Sequence, residues 1–379
     1  MSRLEELIQE LCPDGVEYKK IGTVIDYEQP SKYIVKSTDY NDDFDLPVLT
    51  AGQSFILGYT NEKDGIYTAS KNNPVIIFDD FTGAFKWVDF PFKVKSSAMK
   101  KLKANEDMVR LRFIFHMMGV INFISDEHKR LWISTYSEFK IPVPPLPVQE
   151  EIVRILDNFT ELTTELTTEL EARKKQYEYY RDQLLESPRG EVIETTMGNV
   201  LTFLNGRAYK QEELLGAGKY PVLRVGNFYT NSSWYYSDLE LEESKYCENG
   251  DLLYSWAATL GPKIWDGGKC IFHYHIWKIL FDEEVIDKQY LYYYLQYDLS
   301  QIAKSTTKST MIHVSMGSMK GRPIRLPHIS EQKRIAQLIR RFDVLSSDMK
   351  MGLPAEIEAR KKQYEFYRDK LLSFKEAGK

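Results

Sequence analysis

Several places in this 379-residue chain carry residue types that could do chemistry, and each has to be weighed against its spacing. Cys270, His273 and His275 are the densest group of metal-ligating types. A structural zinc site takes four ligands, usually as two spaced pairs. No second pair is nearby, and the run CIFHYH alternates in the manner of a β-strand. Gly216-Ala217-Gly218-Lys219 resembles the end of a phosphate-binding loop, but Glu213 stands where the first glycine belongs and Tyr220 replaces the Ser/Thr. Pro13-Asp14 followed by Glu17-Tyr18-Lys19 imitates a nuclease motif. Its two parts are too close to occupy separate strands, so a turn through Cys12-Pro13-Asp14-Gly15 is the better reading. Asn72-Asn73-Pro74-Val75 lacks the aromatic that an amino-methyltransferase motif places after its prolines, and no glycine-rich cofactor loop precedes it. The residues therefore point to a binding protein rather than an enzyme.

The elements that would position a binding surface are duplicated. Residues 170–185, LEARKKQYEYYRDQLL, return at 357–372 as IEARKKQYEFYRDKLL, differing only at Leu170/Ile357, Tyr179/Phe366 and Gln183/Lys370. Neither copy contains Gly or Pro, and Leu170, Arg173, Tyr177, Tyr180 and Leu184 follow helical spacing. Upstream, Pro144, Gln149, Ile152, Leu156 and Phe159 fall opposite Pro327, Gln332, Ile335, Ile339 and Phe342. Each helix is announced by a proline-bearing linker, which stops the preceding element and pre-sets the next. A period near half the chain means two domains and two connectors rather than a solenoid. Between the upstream match and the first copy, residues 160–170 read TELTTELTTEL. A four-residue step is close to one helical turn, so each unit adds about 6 Å of length. Both helical stretches run to about 40 residues, on the order of 60 Å. Apolar stripes of that length predict an antiparallel pair. Gly352-Leu353-Pro354 predicts a break in the second stretch, with Pro354 opening the last helix.

With 43% hydrophobic and 13% aromatic residues, each half can bury a core. Three widely spaced cysteines without CxxC pairing suit a reducing cytosol. The N-terminus, MSRLEELIQEL, is charged and amphipathic, and no run approaches a membrane span, so a soluble cytoplasmic protein without a membrane partner is expected. The net charge of −5 does not exclude nucleic acid, because phosphate binding needs only a local positive field. Lys93, Lys95, Lys100, Lys101 and Lys103 form one acid-free basic run, and Lys304, Lys308, Lys320, Arg322 and Arg325 another. The globular blocks are also related: PVLTAG at 47–52 reappears as PVLRVG at 221–226, and Gly22 matches Gly198. Equal helices joining unequal blocks suggest one docking surface used twice and two different ligands.

A proline linker, a QEEI or EQKRI helix start, EARKKQYE..YRD.LL in two copies and two diverged domains together resemble the specificity subunits of type I restriction-modification systems. The likeness covers the whole chain. It implies an α+β fold: two globular α/β target recognition domains joined by two long antiparallel helices forming a coiled coil, with a pseudo-two-fold internal repeat. The corresponding domains are residues 1–146 with a short helix at 3–11, a central conserved helix at 147–187, a second recognition domain at 188–327, and a distal helix at 328–379 broken near 352–354. The resemblance implies double-stranded DNA with a bipartite site as ligand and two methyltransferase subunits as partners, with restriction subunits joining through them. Cofactors would belong to those partners and none to this chain, which would be non-catalytic. Within that frame Thr50, Gln53, Arg224 and Asn227, around the repeated PVLxxG, are candidates for base readout. Lys100, Lys101, Lys304 and Lys308 are candidate phosphate contacts, with Lys86 and Lys263 after glycine loops as further candidates. The competing reading is a coiled-coil scaffold that never touches DNA, and a third is a methyltransferase or nuclease acting alone.

Overall fold

A computed structural model of the chain describes residues 2–50, 54–121, 123, 130–229, 231–305, 313–347 and 352–378. Residues up to Leu166, together with those from Ile357 onward, form one compact unit, and Thr167–Glu356 form another. The division therefore runs through the helices rather than between the helices and the globular blocks.

In the first unit the chain runs through α1 (Arg3–Leu11), β1 (Glu17–Lys20), a one-turn α2 (Ile21–Val24), β2 (Ile25–Glu28), β3 (Leu46–Leu49), β4 (Ile56–Thr60) and β5 (Val75–Asp79). It continues through β6 (Phe85–Val88), β7 (Lys93–Val94), β8 (Met99–Ala104), α3 (Leu111–Met118) and β9 (Lys140–Val143) into α4 (Leu146–Glu186). The second unit takes the latter part of α4 and then β10 (Val192–Thr196), a one-turn α5 (Met197–Val200), β11 (Thr202–Asn205), β12 (Tyr220–Leu223), α6 (Val225–Tyr229), β13 (Tyr235–Ser237) and β14 (Tyr246–Cys247). There follow β15 (Leu252–Ser255), β16 (Gly261–Ile264), β17 (Cys270–Phe272), β18 (Ile276–Leu280), α7 (Lys288–Ser305), α8 (Met316–Gly321), β19 (Pro323–Pro327) and α9 (Ile329–Ser347). After α9, α10 (Leu353–Leu371) carries the second copy of the repeated motif and belongs, from Ile357, to the first unit.

The two units share one topology. The sheet order β2-β8-β5-β6 is matched by β11-β18-β15-β16, β4-β3-β7 by β13-β12-β17 with β14 added at the edge, and β1-β9 by β10-β19. PVLTAG and PVLRVG open on the equivalent strands β3 and β12, and each of these runs parallel to one short strand, β7 or β17. Gly22 and Gly198 answer the same constraint: a Cβ would come within 2.9 Å of the Cβ of Ser137 at the first and of Lys320 at the second. Each unit has its own core, one around Phe78, Leu102, Phe113 and Trp132, the other around Tyr254, Trp277, Tyr290 and Leu295. Val148, Ile152 and Leu156, one turn apart on α4, bury into the first core, as Ile335 and Ile339 of α9 do into the second.

The upstream sequence match has a physical cause. Gln149, fully buried, accepts the Arg110 N–H through Oε1 at 2.8 Å and donates from Nε2 to the carbonyls of Met108 (3.0 Å) and Pro144 (2.7 Å). Gln332, also fully buried, accepts the Asp287 N–H at 2.9 Å and donates to the carbonyls of Val285 (2.9 Å) and Pro327 (2.8 Å). One amide thus ties the start of the long helix to the end of the preceding strand and to the loop leading into α3 or α7. The ring of Phe159 stacks on Tyr367 at 5.3 Å in the first unit, and Phe342 stacks on Tyr180 at 5.6 Å in the second. Each unit therefore holds the upstream helix of one copy and the EARKKQYE motif of the other. In the first, buried His116 on α3 bridges Asp157 Oδ1 on α4 (2.9 Å, from Nε2) and the Tyr364 hydroxyl on α10 (3.0 Å, to Nδ1).

Candidate nucleic-acid interface

The parallel strand pairs give each unit an equivalent edge, at which the residues following the two strands come side by side. In the second unit the residue after β12 is Arg224 and the residue after β17 is His273. The two strands are joined there by the His273 N–H donating to the Leu223 carbonyl at 2.9 Å. In the first unit the equivalent positions are Thr50 and Lys95, with the Lys95 N–H donating to the Leu49 carbonyl at 2.8 Å.

Arg224 is exposed, with its guanidinium carbon 5.3 Å from the centre of the Tyr235 ring. Arg224, Asn231, Ser233, Tyr235, His273 and His275 line a cavity of about 250 Å³. The expected strand over Cys270–His275 ends at Phe272, so the two histidines lie in the turn before β18. Cys270 is turned inward, with its sulfur 3.1 Å from that of Cys247, and does not join them. Burial, His275 and Arg224 together hold the His273 pKa down to about 4, so its ring is neutral at physiological pH. His275 is lowered in the same direction by burial and by His313. A long hydrogen bond of 3.4 Å from the His275 N–H to His273 Nδ1 places the His273 proton on Nε2. Trp256 packs edge-on against His275 at 5.0 Å and is fixed by its Nε1–H donating to the Tyr274 carbonyl at 2.8 Å. A guanidinium, two neutral imidazoles and aromatic faces thus form one continuous patch that can donate hydrogen bonds and stack.

Asn227 sits beside this patch but is committed: its amide donates to the carbonyls of Asn231 (3.1 Å) and Ser233 (2.8 Å). Bidentate pairing with adenine needs one of those donors, so Asn227 shapes the turn instead of reading a base. Thr50 is half-buried, with its N–H donating to the Phe55 carbonyl at 3.0 Å, and Gln53 lies outside the described residues.

Among the lysines the structure makes a plain correction. Lys100 and Lys101 are 1% and 2% exposed on β8 and cannot reach phosphate. Lys100 pairs with buried Asp80 at 3.2 Å, and Lys101 with Glu28 at 2.5 Å while lying 4.2 Å from the Tyr67 ring centre. Lys93 is equally buried against Glu62 at 2.8 Å. A buried ammonium needs such a partner, so most of this basic run serves the interior. Lys95 and Lys103 of this run stand exposed; Lys95 lies 3.3 Å from the Tyr40 hydroxyl, and the sequence reading did not single it out as a contact. Lys86 is exposed on β6. Lys263 is half-buried and donates to the Phe228 carbonyl at 3.2 Å, holding β16 to α6. Lys304 is exposed but lies 3.5 Å from Asp182 of α4, on the helical side of its unit, and Lys308 is outside the described residues.

The repeated helices carry a second surface. Tyr179 and Phe366 occupy equivalent positions and are 61% and 63% exposed, among exposed Lys174, Lys175 and Glu178 in one copy and Lys361, Lys362 and Glu365 in the other. Packing within the chain does not require exposed positions to match. No helix among the described residues is long and apolar enough to cross a membrane.

The family model for the type I restriction modification DNA specificity domain matches residues 13–174 and again 191–359. The EcoR124I/EcoR124II type I restriction enzyme specificity subunit of Escherichia coli is 42% identical, across 99% of this chain and 97% of its own length. A putative type I restriction enzyme specificity subunit of Haemophilus influenzae is 30% identical across 98% of each. Among solved structures, the S subunit of a type I restriction-modification system from M. genitalium matches with a TM-score of 0.56 at 15% identity, covering 94% of this chain and 96% of that one. That fold is shared here, and the chain belongs to the specificity subunits of type I restriction-modification systems.

Proposed function

We propose that this subunit reads a bipartite sequence in duplex DNA, one half-site per unit, and that the repeated helices set the gap and dock two methyltransferase subunits. The observation that carries this reading is the pairing of identical topology with unlike residues at the equivalent strand ends, Thr50 and Lys95 against Arg224 and His273. One scaffold used twice with different tips suits two different half-sites. Arg224 is the candidate guanine reader, since a guanidinium donor matches O6, an acceptor that adenine lacks in the major groove. Lys86 and Lys304 are the candidate phosphate contacts. The chain itself supplies recognition only, while the methyl donor, ATP and magnesium are bound by the methyltransferase and restriction subunits that join it. Matching exposed aromatics on the two helix copies favour two copies of one partner. Co-expression with a methyltransferase subunit, followed by mapping of methylated bases, tests the reading. A two-part motif is expected, and assembly without sequence-dependent DNA binding would favour the scaffold instead.

A further inference from the structure

We infer that the residue following the second strand of each parallel pair, His273 in one unit and Lys95 in the other, determines specificity by donating a hydrogen bond to the N7 of a purine in its half-site. The inference rests on the DNA-reading function proposed above and adds the residue and the chemistry of its target.

Three observations converge on these positions. Each is anchored by the same backbone bond across the pair, His273 N–H to Leu223 O and Lys95 N–H to Leu49 O, so the two side chains leave from equivalent points. Among the described residues each side chain is held by an aromatic or polar neighbour rather than by an acid: His273 stacks on Tyr209 at 6.4 Å, and Lys95 reaches the Tyr40 hydroxyl at 3.3 Å. Each presents a donor, since an ammonium can only donate and neutral His273 accepts at Nδ1 and carries its proton on Nε2.

Donors select acceptors. In the major groove a purine offers N7, cytosine offers only its amino donor, and thymine sets its single acceptor beside a methyl group. His273 also shares its cavity with Arg224, and two adjacent donors match the paired O6 and N7 acceptors of guanine. In the second unit the purine is therefore guanine. In the first, Thr50 and Lys95 leave either purine open.

The test uses the assembled complex with its methyltransferase subunit and duplexes in which single purines carry 7-deaza bases. Wild-type complex should lose roughly 5- to 100-fold in affinity at one guanine of the half-site assigned to the second unit and at one purine of the other. His273→Ala should become indifferent to the first replacement and Lys95→Ala to the second, each relaxing the mapped methylation motif at that position only. His273→Asn, which keeps a neutral donor, should retain part of the discrimination. A wild-type complex indifferent to 7-deaza substitution at every purine overturns the inference even if neither variant folds. So does an unchanged motif in both variants. Absence of any bipartite motif in the wild-type complex would instead bring down the DNA-reading function itself.

Discussion

Replacing Gln149 by alanine should destabilise the first unit by about 3 to 5 kcal/mol while leaving the second untouched. The side chain is fully buried and makes three hydrogen bonds, so its removal orphans the Arg110 N–H and the carbonyls of Met108 and Pro144. Each buried group left unsatisfied costs about 1–3 kcal/mol. Water entering the space recovers some of that, which puts the expected loss in the lower half of the sum. Gln332→Ala should do the same to the second unit, because its three bonds are of the same kind and length. Glutamate is the more telling substitution. It keeps the acceptor for the Arg110 N–H but turns its second oxygen toward two carbonyls, so the folded state prefers it protonated and raises its pKa. The sign follows: Gln149→Glu should be most stable below the ordinary carboxyl pKa near 4.3 and lose stability as pH rises from there through its raised folded pKa. Urea titrations followed by circular dichroism, with hydrogen exchange to say which unit opens, measure both effects. A Gln149→Ala loss below about 1 kcal/mol, or a loss shared equally by both units, would refute the argument that one amide fixes each helix to its own block.

The remaining predictions concern charge and surface. Burial lowers the His116 pKa against the opposing pull of Asp157, so the folded first unit resists a proton that the unfolded chain takes up near 6.5. Its stability should fall as pH drops below about 6.5 and hold level just above it, as seen in melting curves, and His116→Gln should flatten that dependence. Lys86→Ala should lower the slope of log affinity against log salt by about one without changing stability. Lys100→Ala should instead cost about 3–5 kcal/mol, by stranding Asp80 with neither group near phosphate. Tyr179→Ala and Phe366→Ala should leave melting within about 0.5 kcal/mol of wild type and weaken methyltransferase-subunit association, measured by titration calorimetry.

The sequence shows most plainly what repeats along the chain, and least what meets across it. The duplicated helices, the Pro and Gln pairs and the PVLxxG strands were legible because the same physical demand recurs at a fixed offset. The fate of the basic run was not. Lys93, Lys100 and Lys101 have no acid within their own stretch; Asp80 and Glu28 reach β8 through sheet pairing, and Glu62 reaches Lys93 from the residues after β4. A strand buried on both faces shows no alternation to betray it, and β8 is buried at four successive positions. The imidazoles after β17 were visible as residue types but were weighed as metal ligands. Their meaning comes from Arg224, which lies far away in sequence and adjacent only because β12 and β17 run side by side. Lys95 could have been found by aligning FKVK with CIFH, a match too short to stand out before the strands are paired.

The central claim, that helix length sets the separation of two sequence-reading units, is tested most directly by deleting Thr163–Leu166, one TTEL step within α4. The cut removes about 6 Å of helix, against ~3.4 Å per base-pair step. The mapped methylation motif should keep both half-sites and lose one to two base pairs of the gap between them. A motif with the original gap, methylated as efficiently as before, would contradict the account.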